Sequence, residues 1–190
     1  MDDTIGFEKN KLVIRLIEKK DLELLRQHRN DFKTWHNLTD INLIYKEQQE
    51  SWYMNLIQDR TKKYFMVSGW VNNNNIVTKE DIGFIRIDEI DALNRSARIG
   101  CDVFKSFRTQ GFGTKIMDLA CSYGFDYLNI HRLWLLVVEY NISAISVYKK
   151  TGFIQEGVQK QALYRDGKYY NYLMFSYINP KELCENNPSV

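Results

Sequence analysis

Apolar and polar positions change period several times along the chain, and each change marks an element. Leu12-Val13-Ile14-Arg15-Leu16-Ile17 reads as a first strand. From about Lys20 the apolar positions Leu22 and Leu25, with His28 or Arg29, fall on one helical face, and Asp21 suits the first turn. A second helix is expected from about Lys46 to Gln58, where Trp52, Tyr53, Leu56 and Ile57 make one stripe. Tyr64–Val71 and Ile82–Ile87 are β-type runs, and the polar patch Asn72–Asn75 reads as the loop joining them. Ala97, Ile99, Cys101 and Val103 alternate with polar residues or glycine, which predicts a half-buried strand.

The strongest helical pattern follows. Phe112, Ile116, Leu119, Ala120, Tyr123 and Tyr127 share one face of a helix from Gly111 to Tyr127. Arg132–Val138 is apolar throughout after its first residue and predicts a strand buried on both faces. Asn141 is placed to cap a helix that runs through Lys150, and Thr151-Gly152 closes it. Strands from Phe153 to about Leu163 and from Tyr169 to Ile178 flank Asp166-Gly167, a hairpin signal. The order β-α-α-β-β-β-α-β-α-β-β describes an α/β or α+β domain with a mixed sheet over residues 1–178. The end, 179–190, with Asn179-Pro180 and Asn187-Pro188, reads as a frayed tail.

Composition narrows the classes. Of 190 residues, 44% are hydrophobic and 26% charged, enough to build a core. With 26 Lys+Arg against 24 Asp+Glu the net charge is +2, too small for a nucleic-acid binder with a basic face. The acidic start Met1-Asp2-Asp3 is no signal peptide, and the apolar run at Leu133–Val138 is far short of the roughly 20 residues that span a bilayer. These features point to a cytoplasmic protein. The three cysteines, Cys101, Cys121 and Cys184, are widely spaced and suggest neither a disulfide framework nor a metal site.

Candidate chemistry starts at Arg108-Thr109-Gln110-Gly111-Phe112-Gly113-Thr114, between a strand and a helix. Glycine lets backbone come close to a ligand, and the first amides of a helix attract phosphates. Arg108 adds a positive charge, so a phosphorylated ligand is the functional reading; a plain strand–helix turn is the bland one. No Gly-Lys-Ser/Thr follows, so this is not a P-loop, and a dinucleotide fingerprint lacks its third glycine.

A second block, Val137 to Phe153, holds Asn141, Ala144, Tyr148, Lys150, Gly152 and Phe153. Together the two blocks resemble the GNAT superfamily of acetyl-CoA-dependent N-acetyltransferases, over about residues 10 to 178. The resemblance implies a mostly antiparallel sheet of about seven strands, splayed between the fourth and fifth, with about four helices. It implies that backbone at Val103 binds the pantetheine arm as an added strand would, and that amides from Arg108 to Thr114 cradle the pyrophosphate. Asn141 would hold the pantetheine from the other side, and the Tyr148 hydroxyl would protonate the departing thiolate. Out of this context Tyr148 reads as a half-buried helix aromatic.

Many family members carry a glutamate base where this chain has Arg98. Glu139 and Asp102 are then the nearest substitutes, each equally readable as a strand-end charge, and a water relay is the third option. The N-terminal third, with Arg26–Asp31 and Tyr64–Val67, resembles acetyltransferases of amino sugars. Gly157-Val158 and Tyr164–Tyr170 resemble the branch that acetylates ribosomal-protein N-termini, which shares its layout with polyamine acetyltransferases. No acidic run marks a polyamine site, and His28 reads as a packed helix residue. The expected partners are acetyl-CoA and a primary amine of a small molecule, with a monomer or homodimer as the assembly. The alternatives are a protein N-terminal acetyltransferase and a non-catalytic acyl-CoA-binding domain.

Overall fold

A computed structural model describes residues 4–38, 42–73 and 76–185. Eight strands form one sheet: β1 (Thr4–Lys9), β2 (Leu12–Leu16), β3 (Lys63–Asn73), β4 (Ile76–Asp91), β5 (Ser96–Val103), β6 (Arg132–Val138), β7 (Ile154–Arg165) and β8 (Lys168–Ile178). Their spatial order is β1-β2-β3-β4-β5-β6-β8-β7. Every pairing is antiparallel except β5 with β6, which the crossover helix α4 (Phe112–Asp126) makes parallel.

The apolar stripe of α4 covers one face of the sheet. Ile116, Leu119 and Ala120 are fully buried there against Ile85, Ile87, Ala97, Ile99, Leu133 and Phe175. The opposite face takes α1 (Leu22–Asn30) and α3 (Lys46–Gln58), with Leu22 and Leu25 packed over Met66 and Phe104, and Trp52 and Leu56 beside them. Arg15 fastens this layer. Its guanidinium donates to both oxygens of Asp21 at 2.7 and 2.8 Å and to Asp81 at 2.6 Å, which ties β2, the start of α1 and β4 together.

β5 and β6 pair only at Ser96↔Arg132, Ala97↔Leu133 and Arg98↔Trp134. Both strands then continue, to Val103 and Val138, without each other. Each is held by its other neighbour. β6 follows β8 along its whole length, from Arg132↔Ile178 to Val138↔Tyr172. β5 stays on β4, and Gly83 lets it come very close, since a Cβ there would lie 2.1 Å from the Asp102 carbonyl oxygen. A wedge therefore opens between the two strands.

Several expectations change. The strand count is eight rather than about seven, because Thr4–Lys9, a mixed-polarity run, pairs with β2. Two short helices, α2 (Phe32–Trp35) and α6 (Pro180–Glu185), join the four expected; the fourth, α5, spans Ile142–Lys150. β4 begins at Ile76, not Ile82, because the β3–β4 hairpin continues outward to Asn73↔Ile76. Asn72 and Asn73 thus lie in a strand, while Asn74 and Asn75 lie outside the described residues. β6 is fully buried along one side, while on the other Trp134 and Leu136 are half-buried and Val138 is buried at its end. The tail is not frayed as far as Glu185. Asn179 is buried, Lys181 Nζ reaches Asp126 at 2.6 Å, and Glu182 binds Arg95 and His131. Residues 186–190 lie outside the described residues.

Candidate active site

The wedge between β5 and β6 exposes backbone. The Phe104 amide donates to Ile82 O at 2.8 Å. Peptide groups alternate sides along a strand, so those of Cys101 and Val103 turn away from β4 into the wedge. Arg108 Nε donates to Val103 O at 3.1 Å.

From Phe104 the chain makes a 3-10 turn over Lys105–Phe107 and then two left-handed residues, Thr109 (φ 63°) and Gly111 (φ 79°). Gly111 precedes the first turn of α4, and no side chain caps that helix. A Cβ on Gly111 would meet nothing within 4 Å, so the backbone there faces open space. The first-turn amides of Phe112, Gly113 and Thr114 have no partner within a helix, which suits a phosphate.

Side chains of this loop turn to the protein instead. Thr109 Oγ1 donates to Arg108 O at 2.6 Å and Gln110 Nε2 to Ser106 O at 3.0 Å. Arg108, expected as a charge at the mouth, is a clasp. One guanidinium nitrogen donates to Thr34 Oγ1 at 2.6 Å and another lies 3.7 Å from Asp31, so the loop is tied to α2. Gly113 also has a packing reason, since a Cβ there would sit 3.3 Å from Val147 of α5.

Across the wedge stands α5. Asn141 caps it as expected, its Oδ1 accepting from Ala144 N at 3.2 Å and from Ser143 Oγ at 3.0 Å. Asn141→Ala should therefore cost about 1 kcal/mol of stability and Asn141→Ser much less, read from urea unfolding midpoints. Tyr148 packs its ring near Phe153 and Phe175, centroids 5.9 and 6.2 Å away. Its hydroxyl makes no hydrogen bond with a described residue. Burial, then the nearby Cys101 and Asp102, push the phenol above its ordinary range, with Arg86 partly offsetting them. It stays a proton carrier at neutral pH. Burial likewise pushes the Cys101 thiol up to about 12, so it is no ready nucleophile.

The candidate bases are already engaged. Both Glu139 oxygens accept from Asn171, one from its amide at 2.8 Å and one from Nδ2 at 2.9 Å, which pins the end of β6 to β8. Arg98 lies on Asp88 at 2.7 Å and on Glu89 at 3.1 Å, and Tyr64 donates to Asp88 at 2.5 Å. Asp102 lies 3.1 Å from Arg86. Burial pushes its carboxyl up, but Arg86, with His28 and Arg29, more than offsets this and holds it at about 2. His28 is buried edge-on against Phe84 and Phe104, its Nε2 3.7 Å from Asp102, too far for a hydrogen bond.

Sequence reasoning missed Arg86 and Asp88 as neighbours of this site. The signal was present, since Arg86 and Asp88 alternate with Ile85 and Ile87 and must share the other face of their strand. Among the described residues no cluster of three or more His, Cys, Asp or Glu is arranged to hold a metal ion, and no helix is long and apolar enough to cross a membrane.

A strand wedge with open peptide groups, running into an uncapped helix start and faced by a protonated tyrosine, has the shape to suit an extended, phosphate-bearing acyl carrier and a transferase. The family model "Acetyltransferase (GNAT) domain" matches residues 11–154, and the chain belongs to that family. It is an acetyl-CoA-dependent N-acetyltransferase. The spermidine N(1)-acetyltransferase of Vibrio cholerae is 26% identical over 181 residues, 91% of this chain and 99% of that protein. A putative ribosomal N-acetyltransferase of Bacillus subtilis, YdaF, is 25% identical over 172 residues, 87% of this chain and 90% of the relative. The fold superposes on a crystal structure of the Vibrio cholerae spermidine N-acetyltransferase with CoA and spermine at a TM-score of 0.81 and 23% identity, covering 92% of this chain and 99% of that one.

Proposed function

We propose that the chain acetylates a primary amine of a small molecule by direct transfer within the wedge. The observation that carries this is the Tyr148 hydroxyl, protonated and without a hydrogen-bond partner among the described residues, set across the wedge from β5. Acetyl-CoA supplies an activated thioester and a thiol leaving group. Gly111 and the amides from Thr109 through Phe112 and Gly113 to Thr114 would hold its pyrophosphate. Peptide groups of Cys101 and Val103 would hold the pantetheine arm, with Asn141 Nδ2 from the far side. A backbone N–H in the wedge would take the developing oxyanion, and Tyr148 would give its proton to the sulfur.

The amine must lose a proton first. Asp102 at about 2 is far too weak a base for an alkylamine of about 10.4, although it can seat an ammonium. Glu139 is committed to Asn171. We therefore assign the proton's exit to water. The expected pH profile of kcat/KM rises about tenfold per unit toward the acceptor's own pKa, with no carboxylate inflection near pH 4–5 and no Tyr148 limb below about pH 10. A carboxylate limb in that profile would restore a direct base.

Two acceptor classes have support. The Vibrio cholerae relative is a spermidine N(1)-acetyltransferase. An amino sugar is favoured by the acceptor side of the sheet, where Asp88 and Asp102 are each matched by an arginine, which weakens their pull on a polycation. Thiol release with spermidine, glucosamine, a nucleotide-linked amino sugar and a short peptide decides the class. Release with the peptide alone would move the chain to protein N-termini. The proposed place is the cytoplasm, where acetyl-CoA is at hand. The proposed assembly is a monomer or homodimer. A Vibrio cholerae relative forms a dodecamer, and a sedimentation mass in that range would overturn the smaller one.

A further inference from the structure

Arg15 and Arg132 are saturated. Arg15 makes donor contacts to Asp21, Asp81 and Leu16 O, and Arg132 grips Glu156 with two nitrogens. Arg86 is not. Among the described residues its one carboxylate contact is a single 3.1 Å approach to Asp102, and its Nε, like that of Arg165, is buried without a hydrogen-bond partner. A third of the side chain is still exposed, against 17% of its partner.

Its place is specific. Arg86 stands opposite Gly100 on the neighbouring strand, and a Cβ at Gly100 would lie 3.0 Å from the guanidinium. Glycine there lets the planar fork lie across β5, over the Phe84 ring at 5.6 Å, beside the open wedge. A planar, always-charged fork with unused donors matches an oxyanion, which it can bind through two hydrogen bonds. Asp102 behind it leaves the floor neutral overall, so an amine can still approach.

Deepening the small-molecule reading above, and resting on it, we propose that Arg86 is the specificity residue of the acceptor site. It recognises an oxyanion, a phosphate or a carboxylate, carried by the amine that is acetylated.

The test compares matched amines in the full-length protein. Glucosamine 6-phosphate against glucosamine reads the phosphate, β-alanine against β-alanine amide reads the carboxylate, and spermidine is the polycation. The expected result is at least about tenfold higher kcat/KM for the anionic member of one pair, carried mainly in KM and shrinking as salt rises. In Arg86→Gln the members of that pair should fall within about threefold of each other, while Arg86→Lys, with charge but no fork, keeps part of the preference. Acetyl-CoA titration of each variant checks that the wedge is intact. Equal use of both members by the natural protein, preference for spermidine, or an unchanged ratio in Arg86→Gln would overturn the assignment. Failure of every amine to release thiol would instead remove the function proposed above. The anion site is then read by calorimetry with glucosamine 6-phosphate and CoA, where absence of binding overturns it too.

Discussion

Gly111→Glu is expected to lose acetyl-CoA binding by on the order of a thousandfold. The carboxylate would stand in the open space that the pyrophosphate needs, and two like charges about 4 Å apart at a protein surface repel by about 4 kcal/mol. That is close to three factors of ten in affinity. Gly111 has a φ of 79°, so any side chain adds backbone strain. Gly111→Asn separates the two effects, because asparagine tolerates this conformation and brings no charge. The asparagine variant should keep most of the binding. Calorimetric titration of both, beside their melting curves, reads the result. Full binding by a folded Gly111→Glu protein would take the phosphate away from this loop.

Tyr148→Phe should lower kcat by at least about tenfold and up to the 10²–10⁴ typical of a general acid. The change removes one hydroxyl that has no partner among the described residues and keeps the ring near Phe153 and Phe175. Stability and acetyl-CoA affinity should barely move. The lower bound is modest because a thiol of pKa about 8.5 leaves fairly well unaided. The comparison is made at saturating acetyl-CoA, with chemistry shown to limit the rate. A variant within twofold of the natural protein would return Tyr148 to packing and leave the acid unassigned.

Much of this was legible where period and punctuation agree. The stripe on α4, the Asn141 cap and the Asp166-Gly167 turn are local signals, and local hydrogen bonds realise them. The wedge could be read only through the family resemblance, since it depends on two strands that each follow a different neighbour and on the tight approach at Gly83. β1 was hidden because an edge strand needs only one apolar face and here has few apolar residues. Arg108 shows the limit most clearly. Its type and position suggested a phosphate ligand, but Thr34, distant in sequence and near in space, takes the guanidinium. Partner choice among charged side chains is a long-range property that spacing does not carry. For the same reason Arg86 was passed over as the polar half of an alternating strand.

The central claim is direct acetyl transfer to an amine within the wedge. Its most direct measurement follows the acetyl group itself. The protein is mixed with acetyl-CoA, first without and then with an amine that releases thiol, and both the intact protein and the amine are weighed by mass spectrometry. The account predicts an unmodified protein without acceptor, then one acetyl on the amine for each thiol freed. An acetylated protein that hands its acetyl group to the amine afterwards would contradict direct transfer, and thiol release without an acetylated amine would contradict transfer altogether.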